Sequence, residues 1–462
     1  SNGNIIWSKL IGSNQWEDAP DIEIDQDGYL YITGSRGVPK KHQDYDAYLS
    51  KIDTNGNELW RQSIGSSDQE TATNLAISTD GFIYITGNTY GNLDGQINNG
   101  NRDVFVSKFN SSGTKLWTRI IGSSESEFSE NIAICQNGSI YISGYTYGNL
   151  EGQINNGDAD GYISKLDPNG NKLWTKLIGS SNYDSAKDIE ISEDGYIFTI
   201  GQTSGNIEGQ VNNKSSGTDT FISKLDTKGN KLWTKLLGHS NEKSSINSRQ
   251  GIFAWDFELD QDNSIYITGY AEGDLDSEIN NGKADAYITK LDSNGNRLWS
   301  QLIGAFDNDY SEDIEVSSDG SIYITGHTYN TGHLYSDLIG DQSNDNSQAI
   351  YIMSLTENLE PGTLNIGTQY LLNAIKDYDG NKHGYLGDAP DLVKSAYKYQ
   401  GKLDVNNDGT TEAIFTNKES GRWVTASIDP ITGSFDYTKH GQGGTTRIVG
   451  IYEDPLVKAG LV

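Results

Sequence analysis

The chain has 462 residues, with 64 acidic against 34 basic side chains and a formal net charge of −30. A field of that sign disfavours duplex nucleic acid and anionic membrane, and favours cations and cationic or neutral polymers. The length predicts two domains, no apolar run reaches membrane-spanning length, and the single cysteine, Cys135, excludes an internal disulfide framework and reads as a buried free thiol.

Six tryptophans recur in one phrase: Trp7, Trp60, Trp117, Trp174, Trp233 and Trp299, spaced 53 to 66 residues apart. A period of that size marks a repeat architecture. Each period holds four short segments rich in Ile, Tyr, Thr and Trp, as pleated strands prefer. In the third period these are Asn131–Ile134, Ser139–Gly144, Gly161–Asp167 and Lys172–Ile178. Asx-Gly pairs such as Asn169-Gly170 and Asp194-Gly195 separate the segments and signal hairpins. No 3.6-residue period appears in the first 355 residues.

Four antiparallel strands repeated six times predict an all-β chain, a six-bladed β-propeller of four-stranded blades. Tyr-Ile-Thr-Gly phrases or variants end at Gly34, Gly87, Gly144, Gly201, Gly269 and Gly326, but no seventh Trp phrase follows the last. The orphan phrase Asn4–Leu10 is therefore expected as the outer strand of the sixth blade, which would close the ring and hide the sheet edges. The propeller is expected over 1–357. A small α+β or mostly β domain is expected over 358–462.

Three phrases carry a family resemblance: the stretch from Asp219 to Asp226, Asn-Gly-Asn-Lys-Leu-Trp, and Gly-x-Ile-Tyr-Ile-Thr-Gly. With the loop Gly91–Gly100 they resemble the bacterial β-propeller repeat family called SBBP, over roughly 1–357. The resemblance implies the fold and a secreted setting, and no particular activity.

Inner strands are expected to open on Asp21, Asn74, Asn131, Asp188, Asp256 and Asp313, with Glu23, Ala76, Ala133, Glu190, Glu258 and Glu315 two residues on. The first set reads either as a cation or polar-ligand ring at a channel mouth or as side chains satisfying backbone amides. The Gly91–Gly100 loop reads as an ordered turn ahead of a calcium loop. Repeat-breaking insertions bring Arg249 and Trp255 to one loop and His327, Tyr329, His333 and Tyr335 to the next. The first repeat also departs, with Trp16, Arg36, Lys40, Lys41 and His42. Aromatics beside Arg and His suit sugar rings, while the same insertions would also serve to pack the C-terminal domain.

In the C-terminal domain, Asp404, Asn406, Asp408, Thr410 and Glu412 have calcium-loop spacing, with Gly409 at the sixth position. A helical calcium loop would need Glu where Phe415 stands. The phrase instead resembles the FG-GAP type, in which the loop enters a strand, and the resemblance implies side-chain ligation by Asp404, Asn406, Asp408 and Glu412. Asp377–Asn381 is a shorter cluster of the same kind. The block from Tyr397 to Pro455 resembles a domain of large extracellular cyanobacterial proteins.

The six histidines are scattered, and no zinc pair, nucleophile elbow or phosphate-cradling loop is present. These readings predict a non-enzymatic, calcium-stabilised protein, extracellular or on the outer cell surface. It would bind glycan or a surface protein for adhesion or structure, with no nucleic acid and no membrane insertion. Two alternatives remain: a self-associating subunit of an extracellular layer or filament, and a propeller polysaccharide hydrolase or lyase using acids such as Glu258 and Glu315.

Overall fold

The structure is a computed structural model that describes residues 7–10, 12, 16–37, 45–212, 217–237, 251–275, 280, 283–304, 308–317, 320–329, 348–357, 364–366, 397–403, 412–417, 423–428 and 435–436. It is all-β in these residues, built of four-stranded antiparallel sheets arranged as propeller blades. The chain divides into two compact units, one of Ser1–Gly238, Ser245–Asn263 and Asp292–Asn296, the other of the remainder.

The first unit holds four blades in chain order. The second blade shows the pattern: Glu70–Ile77, Ile83–Thr89, Asp103–Phe109 and Lys115–Ile121 pair in sequence. The strand Ile252–Leu259 also belongs to this unit and packs on the fourth blade. The second unit contains Ile265–Ala271, Asp285–Leu291 and Arg297–Ile303, then the sheet Asp309–Val316, Ser321–Tyr329, Gln348–Glu357 and Leu364–Ile366. A further sheet consists of Tyr397–Leu403, Glu412–Asn417, Trp423–Ile428 and Phe435–Asp436. The short helix read near 391–397 falls mostly outside the described residues.

Inner strands are longer than the apolar runs in the sequence suggested. The third is Glu127–Ile134 rather than Asn131–Ile134, and a bulge between Ser129 and Asn131 bends it. The polar first half was missed because it lacks hydrophobic alternation, yet it pairs fully. The glycine of Tyr-Ile-Ser-Gly sits opposite this bulge: a methyl on Gly144 would strike the Phe128 carbonyl oxygen.

The core lies between blades. Tyr141, Lys165 and Trp174 face one another across three strands. The Tyr141 and Trp174 rings meet edge-on at 6.1 Å, with the Lys165 ammonium 4.9 Å from the Tyr141 ring centre. Lys165 Nζ then donates to the Thr227 carbonyl of the next blade at 3.2 Å, as Lys108 does to Pro168 at 3.3 Å. Burial lowers the pKa of both lysines. Each Trp of the phrase lies on a turn glycine of the following blade: Trp60 on Gly113, Trp117 on Gly170 and Trp174 on Gly229. These glycines have φ of 84°, 78° and 76°, which a side chain would strain.

The N-terminal expectation needs correction. Trp7–Leu10 lies in no strand, and Leu364–Ile366 pairs with Gln348–Glu357 in the outer position. Leu364-Asn365-Ile366 has the apolar alternation that suits that edge, and it lies beyond the expected boundary at 357. Trp7 nevertheless rests on Gly56 of the first blade as Trp60 rests on Gly113, and its Nε1 donates to the Thr54 carbonyl at 2.9 Å. Cys135 is half-buried rather than buried.

The Ile-Gly that ends each Trp phrase has a steric cause. A methyl on Gly122 would overlap the Asp103 carboxyl group, and one on Gly179 that of Asp160. Gly122→Ala should therefore cost about 1–3 kcal/mol of stability. A chemical-denaturation midpoint equal to that of the parent chain would show that the close approach is not a constraint.

Candidate functional site

The inner strands of the first unit present two columns of polar residues. The first column stitches blades together. Asp21 Oδ2 accepts the Leu75 backbone N–H at 2.7 Å, Asn74 Oδ1 that of Ile132 at 3.3 Å, and Asp188 Oδ2 that of Phe257 at 3.4 Å. These groups serve backbone amides, so of the two readings of the Asp/Asn ring the structure favours the amide role.

The second column is chemically more active. Ala76 and Ala133 keep their places small, while Glu23, Glu190 and Glu258 bring carboxylates together. Glu190 keeps partial contact with solvent. Burial and then the charges of Glu258, Asp188 and Glu23 raise its pKa well above the carboxylate range, against a weaker pull from the Ile191 N–H. Glu190 thus has its charged form disfavoured beside a second carboxyl on a packed neighbouring strand, the kind of environment in which general acid–base pairs are built. The sequence reading paired Glu258 with Glu315. Within the first unit the Glu258 charge acts on Glu190, while Glu315 lies in the second unit with a pKa raised by burial and by Asp313. Glu190 stood in the same column of the repeat, which was the signal available.

A second group of carboxylates is wholly buried between blades. Glu70 accepts from the Ser66 N–H and hydroxyl at 2.7 Å each and from the Thr89 hydroxyl at 2.7 Å. Glu127 repeats this with Ser123 and Thr146. Asp103 Oδ2 accepts the Asn99 N–H at 2.7 Å, and its carboxyl lies against Gly122. Burial, joined by the Glu127 charge, pushes the Asp103 pKa up to about 6. Burial likewise raises Glu70, Asp160 and Asp184. Among the described residues no group of three or more His, Cys, Asp or Glu side chains could hold a metal ion. The oxygens of the Gly91–Gly100 loop are engaged by protein groups: Asn92 Oδ1 accepts the Asn98 N–H at 2.9 Å, Asn98 Oδ1 that of Gly100 at 3.0 Å, and Asp94 Oδ2 accepts from Lys115 Nζ and the Thr118 hydroxyl at 2.5 Å each.

Aromatic side chains gather at the loop end of the third blade. Phe128 and Tyr145 stack at 4.4 Å with planes 7° apart, and Tyr147 meets both edge-on at about 6 Å. Tyr183 lies 5.5 Å from Tyr145. The Arg102 guanidinium covers Tyr90 at 4.6 Å and Phe128 at 4.4 Å. Burial raises the pKa of Tyr145 and Tyr183. The sequence reading passed over this cluster because it sought insertions, and these residues sit within regular strands or directly beside them.

Of the residues singled out for ligand binding, His327 and Tyr329 come together: their rings are 5.4 Å apart, with Tyr310 at 5.0 Å from His327. His327 Nδ1 is 2.7 Å from Glu312 Oε1. Trp255 is half-buried on Ile252–Leu259, in the other unit. Arg249, His333 and Tyr335 lie outside the described residues, as do Lys40, Lys41, His42, Asp377–Asn381 and the loop members Asp404, Asn406, Asp408 and Thr410. Glu412 opens a strand, Glu412–Asn417, where the sequence expected the loop to enter one. In the first blade Arg36 pairs with Glu17 at 3.4 Å.

These features define a β-propeller repeat protein. The family model described as SBBP, beta-propeller repeat, matches at residues 59–94 and 173–208. The Regulatory protein FlaEY of Caulobacter vibrioides is 26% identical over 190 residues, covering 37% of this chain and 19% of that protein. An uncharacterised WD repeat-containing protein, L264, of Acanthamoeba polyphaga mimivirus is 23% identical over 407 residues, covering 70% of this chain and 29% of that one. The chain thus spans under a third of the length of either relative. Among solved structures, polysaccharide lyase Uly1 is 12% identical with a TM-score of 0.41, covering 93% of this chain and 94% of that one. The expectation of a non-enzymatic protein does not stand beside such neighbours and is withdrawn. At this identity and TM-score the likeness concerns fold, and it transfers no reaction to this chain.

The buried carboxylates set a pH dependence. Asp103 binds its proton more tightly folded, at about 6, than unfolded, near 3.8. Its contribution is therefore fully present below pH ~4 and lost as pH rises through about 6, by about 3 kcal/mol in all. Thermal unfolding of Asp103→Asn should show a smaller loss of stability between pH 4.5 and 7.5 than the parent chain. Identical pH profiles would place the strain elsewhere.

Proposed function

We propose that the chain is a carbohydrate-processing propeller, a hydrolase or lyase of polysaccharide. The observation that carries this reading is the Glu190–Glu258 pair. Burial and like charge raise the Glu190 pKa, which suits a group that donates a proton to a leaving oxygen, with Glu258 on the packed strand Ile252–Leu259 as the second carboxylate.

The proposal takes six blades, one for each Tyr-Ile-Thr-Gly phrase, with the Trp7 phrase serving the first blade as a preceding blade's outer strand would. Its support is the packing of Trp7 on Gly56. An extracellular setting and calcium at Asp404, Asn406, Asp408, Thr410 and Glu412 complete the reading, on the loop spacing alone.

Reducing-end and unsaturated-product assays on a panel of plant, algal and bacterial polysaccharides test the reaction. Turnover is expected for at least one polymer, with Glu190→Gln and Glu258→Gln each lowering kcat at least about 100-fold. Full activity in both variants, or binding without turnover across the panel, would overturn it. Calcium titration of chelated protein should raise the melting temperature of the full chain, and Asp404→Asn with Asp408→Asn should abolish that rise. A rise that survives both changes would remove calcium from this loop.

A further inference from the structure

We infer that the aromatic cluster of the third blade is a carbohydrate subsite for neutral polysaccharide, an inference that rests on the glycan reading above but not on the carboxylate pair. Phe128 and Tyr145 stack on each other and support the edge-on ring of Tyr147, which is 41% exposed and forms the open surface of a ledge. Arg102 clamps the far side between Tyr90, itself 40% exposed, and Phe128. Glu130, whose charge acts on Tyr145 and Tyr183, meets Lys187 Nζ at 2.7 Å and puts a polar pair beside the rings. Rings with hydroxyl partners at their margin suit a pyranose, whose C–H face stacks while its hydroxyls bond.

The fold does not require these rings. The register of the fourth blade puts Ser185, Gln202 and Ser204 at the places of Phe128, Tyr145 and Tyr147, and that blade forms the same pairing. The places are aromatic again in Tyr310, His327 and Tyr329, which also cluster. Aromatics retained at partly exposed places that serine and glutamine fill elsewhere are there for a ligand. A neutral ligand follows from charge: Glu125 and Glu130 stand beside the cluster, and the chain carries −30 overall. A uronate polymer would meet repulsion, and Arg102 is already engaged by two rings.

Affinity electrophoresis and calorimetry of the full chain with soluble β-glucan, arabinoxylan and galactomannan, and with polygalacturonate as the anionic comparison, test this. At least one neutral polymer should bind. Tyr147→Ala should weaken that binding about five- to tenfold with an unchanged melting temperature, while Glu190→Gln retains it. Binding of no neutral polymer, binding of polygalacturonate alone, or full affinity in Tyr147→Ala would overturn the subsite. Neutral binding that Tyr147→Ala weakens, in a chain with no turnover, would support the subsite while sinking the proposed reaction.

Discussion

Everything in the first unit depends on how one blade is seated on the next, and the seat is a tryptophan lying on a glycine. Trp117 on Gly170 and Trp174 on Gly229 repeat one contact at a fixed period. The glycine is needed twice over: its φ near 77° is costly for other residues, and its bare Cα lets the indole approach. The buried lysine beside it fixes the register, since Lys108 and Lys165 each reach a carbonyl of the next blade's turn. Because this contact recurs between consecutive blades of the unit, its contributions add, and a single faulty seat weakens the two blades it joins.

The same geometry explains why an acidic chain buries acids. Glu70 and Glu127 are held by serine and threonine hydroxyls and a backbone N–H, which satisfy both carboxylate oxygens. Asp103 and Asp160 each accept a backbone N–H at Oδ2, while Oδ1 finds no hydrogen-bond partner and the carboxyl lies against a glycine Cα, where only a weak C–H contact is available. Burial then raises every one of these groups for which a shift is resolved. With −30 charges overall, self-repulsion acts in the same direction. Mild acid should favour this fold on both counts.

Much of the architecture was legible because the repeat announces it. Four strands per period, the hairpin glycines and the bulge glycine all follow from phrases that recur. The first halves of the inner strands were not legible, since Glu127-Phe128-Ser129-Glu130 has no hydrophobic alternation and gains its place from pairing with Gly144–Thr146. The outer strand Leu364–Ile366 was hidden for a different reason: it lacks the Trp phrase and lies beyond the expected propeller boundary at 357. Of the site, Glu258 was found, but its partner was chosen by adjacency along the chain. The partner Glu190 is set by which inner strands pack together, and a column of aligned repeats lists candidates without saying which pairs meet.

The columns themselves carry the functional argument. A position that is Glu23, Glu190, Glu258 and Glu315 in four repeats but Ala76 and Ala133 in two does not need a carboxylate for the fold, and burying Glu190 raises its pKa at a cost in stability. The same holds where Phe128 and Tyr145 stand in one blade and Ser185 and Gln202 in the next. In a repeat protein each blade is a control for its neighbours. Departures that the fold tolerates but does not need, and that carry a physical cost, are where a ligand is the economical explanation. By that standard the carboxylate pair and the aromatic ledge outrank the long insertions, whose inserted residues, unlike His327 and Tyr329, have no equivalent against which to be judged.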